Sequence, residues 1–156
     1  MSSLDRRPTS EVLDAVLAER PEVREALESA WAAAWTVVDP VVLELCRLRI
    51  ATLLDCEEER RARTPAAVAN GLDEERVARL AQWMTSPLFD DRQRACLGFA
   101  EQFTLDVAAL DDATVLAVRE QLGEQGLVDF VNALLVVEQR QRLRLVWHQL
   151  FGATAA

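Results

Sequence analysis

The stretch that decides the fold is residues 41–54, VVLELCRLRIATLL. Four polar side chains interrupt its apolar residues: Glu44, Arg47, Arg49 and Thr52. A helix that is apolar on nearly every side is normally buried by its neighbours. Asp39 and Pro40 precede it, and they supply an N-cap carboxylate and a proline suited to the first turn. The sequence therefore predicts a buried central helix that carries one carboxylate, Glu44, about one turn inside.

The rest of the chain predicts further helices and no sheet. No segment alternates apolar and polar residues over a strand's length, and helical periodicity recurs between turn signals. The main predicted helices are 11–19, 21–36, 40–54, 74–84, 91–103, 111–122 and 127–151. Between the third and fourth, residues 57–63 predict an exposed helix with acid-to-base pairs Glu57–Arg61 and Glu59–Arg63. We expect a flexible tail at residues 1–8 and one all-α domain of about six to seven helices at 9–156.

Composition narrows the function classes. The formal net charge of −9 argues against a nucleic-acid partner, because phosphate binding needs a basic face. The N-terminus lacks the pattern of a signal peptide, and no apolar run reaches the roughly 18 residues of a membrane span. Three cysteines without a disulfide-scaffold spacing suit a reducing compartment. The expectation is a cytoplasmic protein that contacts no membrane.

Few residues carry recognisable chemistry. There is no glycine-rich phosphate loop, and the single histidine, His148, rules out a site built from several histidines. We therefore expect no metal and no cofactor. His148 lies near a predicted helix end, where interaction with the helix dipole or a partner chain is the simpler interpretation. Cys46 and Cys96 lie in apolar runs and are expected to be small core residues.

The central helix and the turn after it resemble a known protein family. Glu44, the Arg47–Ala51 run and Cys56 resemble the active-site helix of the carboxymuconolactone decarboxylase/alkylhydroperoxidase D-like (AhpD-like) family. A second block, from Gly71-Leu72 through Trp83 and Ser86-Pro87 to Thr104, also resembles it. The resemblance covers roughly residues 40–150 and implies an AhpD-like helical bundle. It also implies a homo-oligomer, a trimer or a hexamer.

The resemblance also implies a site that this chain alters. Peroxidase members reduce a hydroperoxide with a Cys-x-x-Cys pair, while a Glu and a His pass protons. Here Glu44 and Cys56 occupy matching positions, but Glu59 replaces the second cysteine and Arg63 replaces the histidine. Without a nearby second thiol no intramolecular disulfide forms, and arginine is no general base at neutral pH. Dithiol peroxidase activity is therefore not expected.

Two interpretations of Glu44 stay open. It forms an internal ion pair, with Arg47 or an arginine from elsewhere, or it acts as a general acid/base in an apolar pocket that a small molecule enters. In the second case Arg49 or Arg63 would hold an anionic group of the substrate, unless they form surface or interchain salt bridges.

Three functions follow from these alternatives. The first is a cofactor-independent decarboxylase, lyase or isomerase that acts on a small carboxylated or carbonyl substrate. The second is a non-catalytic oligomeric protein that binds or assembles. The third is a single-cysteine peroxidase that uses Cys56 and an external thiol.

Overall fold

The computed structural model describes residues 8–152, and most of the expected tail lies outside them. Within these residues the protein is all-α, as the sequence predicts, with eight α-helices, two short 3₁₀ turns and no strand. The helices are α1 (Thr9–Ala18), α2 (Pro21–Val37), α3 (Pro40–Leu53), α4 (Glu57–Arg61), α5 (Pro65–Ala69), α6 (Glu74–Ala78), α7 (Asp91–Leu105) and α8 (Asp112–Phe151). None of the helices in this part of the chain is long and apolar enough to cross a membrane.

The central helix α3 is the core of the bundle. Nine of its fourteen residues are buried, and it packs mainly against α7 and α8. The predicted start signal is confirmed: one Asp39 carboxylate oxygen accepts hydrogen bonds from the backbone N–H groups of Val41 and Val42, at 2.9 and 3.1 Å. Pro40 occupies the first turn, where its missing N–H costs nothing. The apolar pattern thus accounts for the central position of this helix, and Asp39 with Pro40 accounts for its start.

The last helix, α8, contacts all the other long helices of the bundle. It packs against α1, α2, α3 and α7. The sequence predicts two helices here, separated at Gly123 and Gly126, and Gly123 does interrupt the helical backbone with φ +76°. A residue with a side chain adopts that conformation at a cost, so glycine allows the sharp change of direction. Gly126 stays helical.

The short helix α4 corrects one prediction. It ends at Arg61, and its middle residue Glu59 is only 3% exposed, so the expectation of an exposed helix over 57–63 is wrong at this position. The exposed pair Glu57–Arg61 does form. The predicted Glu59–Arg63 pair does not, because Glu59 turns inward.

The first helix, α1, is attached to the bundle by its buried side chains and by hydrogen bonds from its N-terminus to α4. Its residues Val12 and Leu13 are buried, and it packs against α8 and α2. At its N-terminus the Thr9 hydroxyl and the Ser10 backbone N–H donate to the carboxylate of Glu58 on α4. A negative charge at a helix N-terminus is favourable, so Glu58 ties α1 to the segment that follows the central helix.

Candidate functional site

Glu44 and Arg47 form a closed, buried pair on α3. The Nε and one Nη of Arg47 donate to the two Glu44 carboxylate oxygens, each at 2.8 Å. The backbone N–H and the hydroxyl of Thr64 donate to the same two oxygens, at 3.0 and 2.9 Å. Glu44 is 0% exposed and Arg47 is 1% exposed. Of the two interpretations of Glu44, the internal ion pair is therefore the one whose contacts are present.

Arg47 uses its complete set of hydrogen-bond donors. Besides the two bonds to Glu44, one Nη donates to the backbone oxygen of Glu59, at 2.9 Å, and to its carboxylate. The other Nη donates to the backbone oxygen of Ala62, at 2.8 Å. A guanidinium has five N–H donors, and all five are engaged here. Burial lowers the pKa of Arg47, but the hydrogen bonds and charges of Glu44 and Glu59 raise it by more, so the guanidinium stays charged.

Glu59 continues the network to the last helix. Its second carboxylate oxygen forms a salt bridge with an Nη of Arg144 on α8, at an N–O distance of 2.6 Å. Glu44, Arg47, Glu59 and Arg144 thus form a chain of alternating charges that sums to zero. We call these four residues the buried charge network. Such a network links α3, α4 and α8, and each charge has a partner, which is the condition for burying charges without a large penalty.

Two buried polar atoms, one in the buried charge network and one next to it, have no hydrogen-bond partner in residues 8–152. They are the Oε1 of Gln141 and the Nε of Arg144. Gln141 is fully buried, and its Nε2 donates to the backbone oxygen of Arg47, at 3.0 Å. Most of the buried polar groups around the network thus have a hydrogen-bond or ion-pair partner, and the two that lack one are on α8.

Cys56 is positioned by the C-terminal cap of α3. The Cys56 backbone N–H bonds to the Ala51 oxygen at 2.8 Å, and the Asp55 N–H bonds to the Thr52 oxygen at 3.3 Å, which is the Schellman pattern. Asp55 takes the left-handed position, with φ +55°, which glycine more often fills. The chain reverses there and turns the Cys56 side chain inward, where it is 1% exposed.

The environment of Cys56 disfavours the thiolate. Burial raises the pKa of this thiol, and the Glu59 and Glu58 carboxylates raise it further, while the Glu59 backbone and Arg144 lower it. The net change is upward. Cys46 and Cys96 are also free and buried, as predicted for core residues, and burial raises both their pKa values, that of Cys96 to about 12.

The two arginines predicted to hold a substrate lie in other ion pairs. Arg63 donates from Nε and Nη2 to the two carboxylate oxygens of Glu74, at 2.8 and 3.0 Å. Arg49 pairs with Glu101, which also accepts a hydrogen bond from the Trp83 indole at 2.8 Å. Both salt bridges lie within the chain, the Arg49–Glu101 pair largely buried and the Arg63–Glu74 pair more exposed, and neither arginine joins the buried charge network. Their role in substrate binding stays a prediction.

Sequence reasoning did not identify Arg144 or Gln141, and it treated Glu59 as a surface residue. One available signal was the position of Glu59, where the family resemblance places a second reactive cysteine next to the central helix. In this chain Glu59 occupies that position and its side chain is buried. For Gln141 and Arg144 the signal is their three-residue spacing on a helix, which puts both on one face.

Comparison with known proteins identifies the family. The model of the carboxymuconolactone decarboxylase family matches residues 21–102, from the start of α2 into α7. The chain belongs to this family. The matched segment contains Glu44, Arg47, Cys56 and Glu59, whereas α1 and the arginines of α8 lie outside it.

A solved structure shares the fold of this carboxymuconolactone decarboxylase family protein. It is a crystal structure of a protein of unknown function from Agrobacterium tumefaciens, for which the antioxidant defence protein AhpD is a suggested identity. The TM-score is 0.73 with 16% sequence identity, covering 90% of this chain and 97% of that one. At this identity the likeness shows the fold alone. A search of curated proteins found no significant match.

Proposed function

We propose that this protein is a non-catalytic member of the carboxymuconolactone decarboxylase family, which uses the scaffold for binding and assembly. The observation that carries the proposal is the state of Glu44. Each of its carboxylate oxygens accepts two hydrogen bonds, from Arg47 and Thr64, and the side chain is 0% exposed. A general acid/base must come within hydrogen-bond reach of the proton it transfers, and these contacts leave a substrate no position beside Glu44.

The buried charge network supports the same proposal. Glu59 and Arg63 take the family positions of the second cysteine and the histidine, and both form ion pairs with other parts of the fold. A reactive site normally keeps its titrating groups accessible and poised near working pH. Here the charges instead hold α3, α4 and α8 together, which is a structural use of the same positions.

The two catalytic alternatives receive less support. A decarboxylase, lyase or isomerase would need Glu44 to exchange its present partners for a substrate. A single-cysteine peroxidase would need a reachable thiolate at Cys56, and burial raises that pKa while leaving 1% of the residue exposed. The thiolate is the reactive form, so a buried cysteine with a raised pKa is expected to be inert.

Glu44→Gln separates the structural and acid/base proposals. An acid/base role predicts a variant that folds well and loses activity, whereas a structural role predicts a large loss of stability. The free energy of unfolding, measured in urea, decides between them. A stable Glu44→Gln protein would overturn the proposal.

Peroxidase activity is tested directly. The wild type, with dithiothreitol as reductant, is expected to consume cumene hydroperoxide no faster than Cys56→Ser does. Turnover by the wild type that disappears in Cys56→Ser would replace the present proposal with the single-cysteine peroxidase.

A further inference from the structure

A cavity of about 240 Å³ lies between α1, α2 and α8, apart from Glu44 and Cys56. Most of its wall is apolar, formed by the side chains of Leu13, Leu17, Leu27, Trp31, Val136 and Leu143. Ligand sites are typically apolar concavities with a few placed polar groups and volumes of about 300 to 1,000 Å³, so this cavity is slightly smaller than most and suits only a small ligand. Its α1 and α8 walls lie outside the segment that the family model matches.

Arg140 is the polar group that distinguishes this cavity. Its guanidinium lies over the ring of Trp31, with 4.6 Å from Cζ to the ring centroid. It forms no hydrogen bond and no ion pair with any residue in 8–152, although it is half-buried. The other arginine of the wall, Arg24, pairs with Glu28 at 3.4 Å.

The contact with Trp31 leaves the N–H groups of Arg140 available to a ligand. A cation–π contact attracts the guanidinium to the ring without a conventional hydrogen-bond acceptor, so the N–H groups can still donate to a carboxylate. All five N–H donors of Arg47 form hydrogen bonds inside the protein, whereas Arg140 donates none to residues 8–152. Burial lowers the pKa of Arg140, and the positive charges of Arg144 and Arg47 lower it further, while the carboxylates of Glu59 and Asp14 act in the opposite direction. Arginine stays protonated in proteins, so the cavity wall carries a guanidinium that has no hydrogen-bonded or ion-paired carboxylate among residues 8–152.

We propose that this cavity binds a small amphipathic carboxylate, whose carboxylate is held by the N–H edge of Arg140 while its apolar tail contacts the leucines of α1, α2 and α8. Planar two-point contact is the geometry in which arginine recognises carboxylates best. The inference rests on the proposed binding function and names its ligand class. Asp14 also lines the cavity and acts against an anion there.

Isothermal titration of the full-length protein with octanoate tests the proposal, and octanol serves as the uncharged probe of equal chain length. Octanoate is expected to bind at one site per chain, at least tenfold more tightly than octanol. Arg140→Gln is expected to weaken octanoate binding tenfold or more and to leave octanol binding unchanged. Asp14→Asn is expected to tighten octanoate binding two- to threefold.

Two further variants show whether a loss of affinity is specific to the charge of Arg140 or follows from any change in the cavity wall. Arg24→Gln removes a charge from the same wall that is already paired, so octanoate affinity should change less than threefold. Leu27→Phe adds volume to the apolar wall and should weaken the binding of octanoate and octanol alike.

No octanoate binding at millimolar concentration, equal affinity for octanol, or unchanged affinity in a folded Arg140→Gln protein would each overturn the assignment. None of these outcomes bears on Glu44 or Cys56. The absence of catalysis is judged from the stability and peroxide measurements described above.

Discussion

Arg47 donates a hydrogen bond to each carboxylate oxygen of Glu44 from one turn further along the same helix. Both residues are almost completely buried. Arginine and carboxylate meet here in the two-point geometry that gives their strongest contact. Removal of one partner from a buried pair usually costs about 3 to 5 kcal/mol, because the other charge stays buried. Arg47 keeps Glu59 as a second partner, so the cost here should fall at the lower end.

Glu44→Gln is therefore expected to lower the free energy of unfolding by about 3 kcal/mol. The amide also places two donors against the donors of Arg47 and Thr64. Urea denaturation followed by circular dichroism measures the change. Glu57→Gln is the matched control, since its exposed pair with Arg61 should contribute about 0.5 kcal/mol or less. Equal effects of the two substitutions would contradict the structural role of Glu44.

Glu59 and Arg144 should be energetically coupled across α4 and α8. A double-mutant cycle with Glu59→Gln and Arg144→Met is expected to give a coupling energy of about 1 to 3 kcal/mol, as found for residues of one network. The cycle Glu57→Gln with Arg61→Met provides the exposed comparison. Additive effects at the buried pair would show that their 2.6 Å contact contributes nothing to stability.

Cys56 should react slowly with thiol reagents in the native protein. The chain has three cysteines, all buried, and burial raises the Cys56 pKa. With Ellman's reagent at pH 8, we expect fewer than one thiol per chain to react over minutes, and three after unfolding in guanidinium. Rapid reaction of a single thiol, absent from Cys56→Ser, would contradict the buried position.

The contact between α1 and Glu58 should make stability depend on pH. Burial raises the pKa of Glu58, but the hydrogen bonds from Ser10 and Thr9 lower it by more, so the folded-state pKa lies below the ordinary value. A depressed carboxyl pKa stabilises the fold at pH above the unfolded-state value, and the gain disappears as pH falls through the folded-state value.

We therefore expect Glu58→Gln to lower the melting temperature at pH 6 and to match the wild type at the acidic end of the titration. Thermal unfolding at a series of pH values between 6 and 3 measures both proteins. A difference that stays constant across this range would show that the Glu58 charge does not hold α1.

Self-association is the remaining prediction. Along α8 the side chains of Val128, Leu135, Val146 and Leu150 are between 49% and 61% exposed, which is costly for apolar residues of a lone chain. We expect light scattering after size exclusion to give a trimer or hexamer, and Leu135→Glu to reduce its mass. A wild-type monomer at micromolar concentration would contradict the prediction.

Much of the fold is readable from local signals. Asp39 with Pro40 marks a helix start that the structure reproduces, and Asp90 with Gln93 forms a capping box at the start of α7. Gly123 marks the break in α8. These signals are local because a helix end must satisfy its own backbone groups within a few residues.

The site was less predictable because its partners are distant in sequence. The i, i+3 pair of Glu44 and Arg47 follows from helix geometry, but the Glu59–Arg144 contact spans 85 positions and depends on how α8 is oriented. The charge pattern at Glu57–Arg63 instead suggested a solvated helix. Local pairing rules cannot tell which of three adjacent acids turns inward.

The zero charge sum of Glu44, Arg47, Glu59 and Arg144 has an evolutionary consequence. A cysteine at position 59 would leave Arg144 without its carboxylate, and a neutral residue at 144 would leave Glu59 with a single cation. With a neutral thiol at position 59, either change made alone leaves a net charge on the remaining residues of the network. A route to a paired-thiol arrangement that keeps these charges balanced therefore needs both changes together.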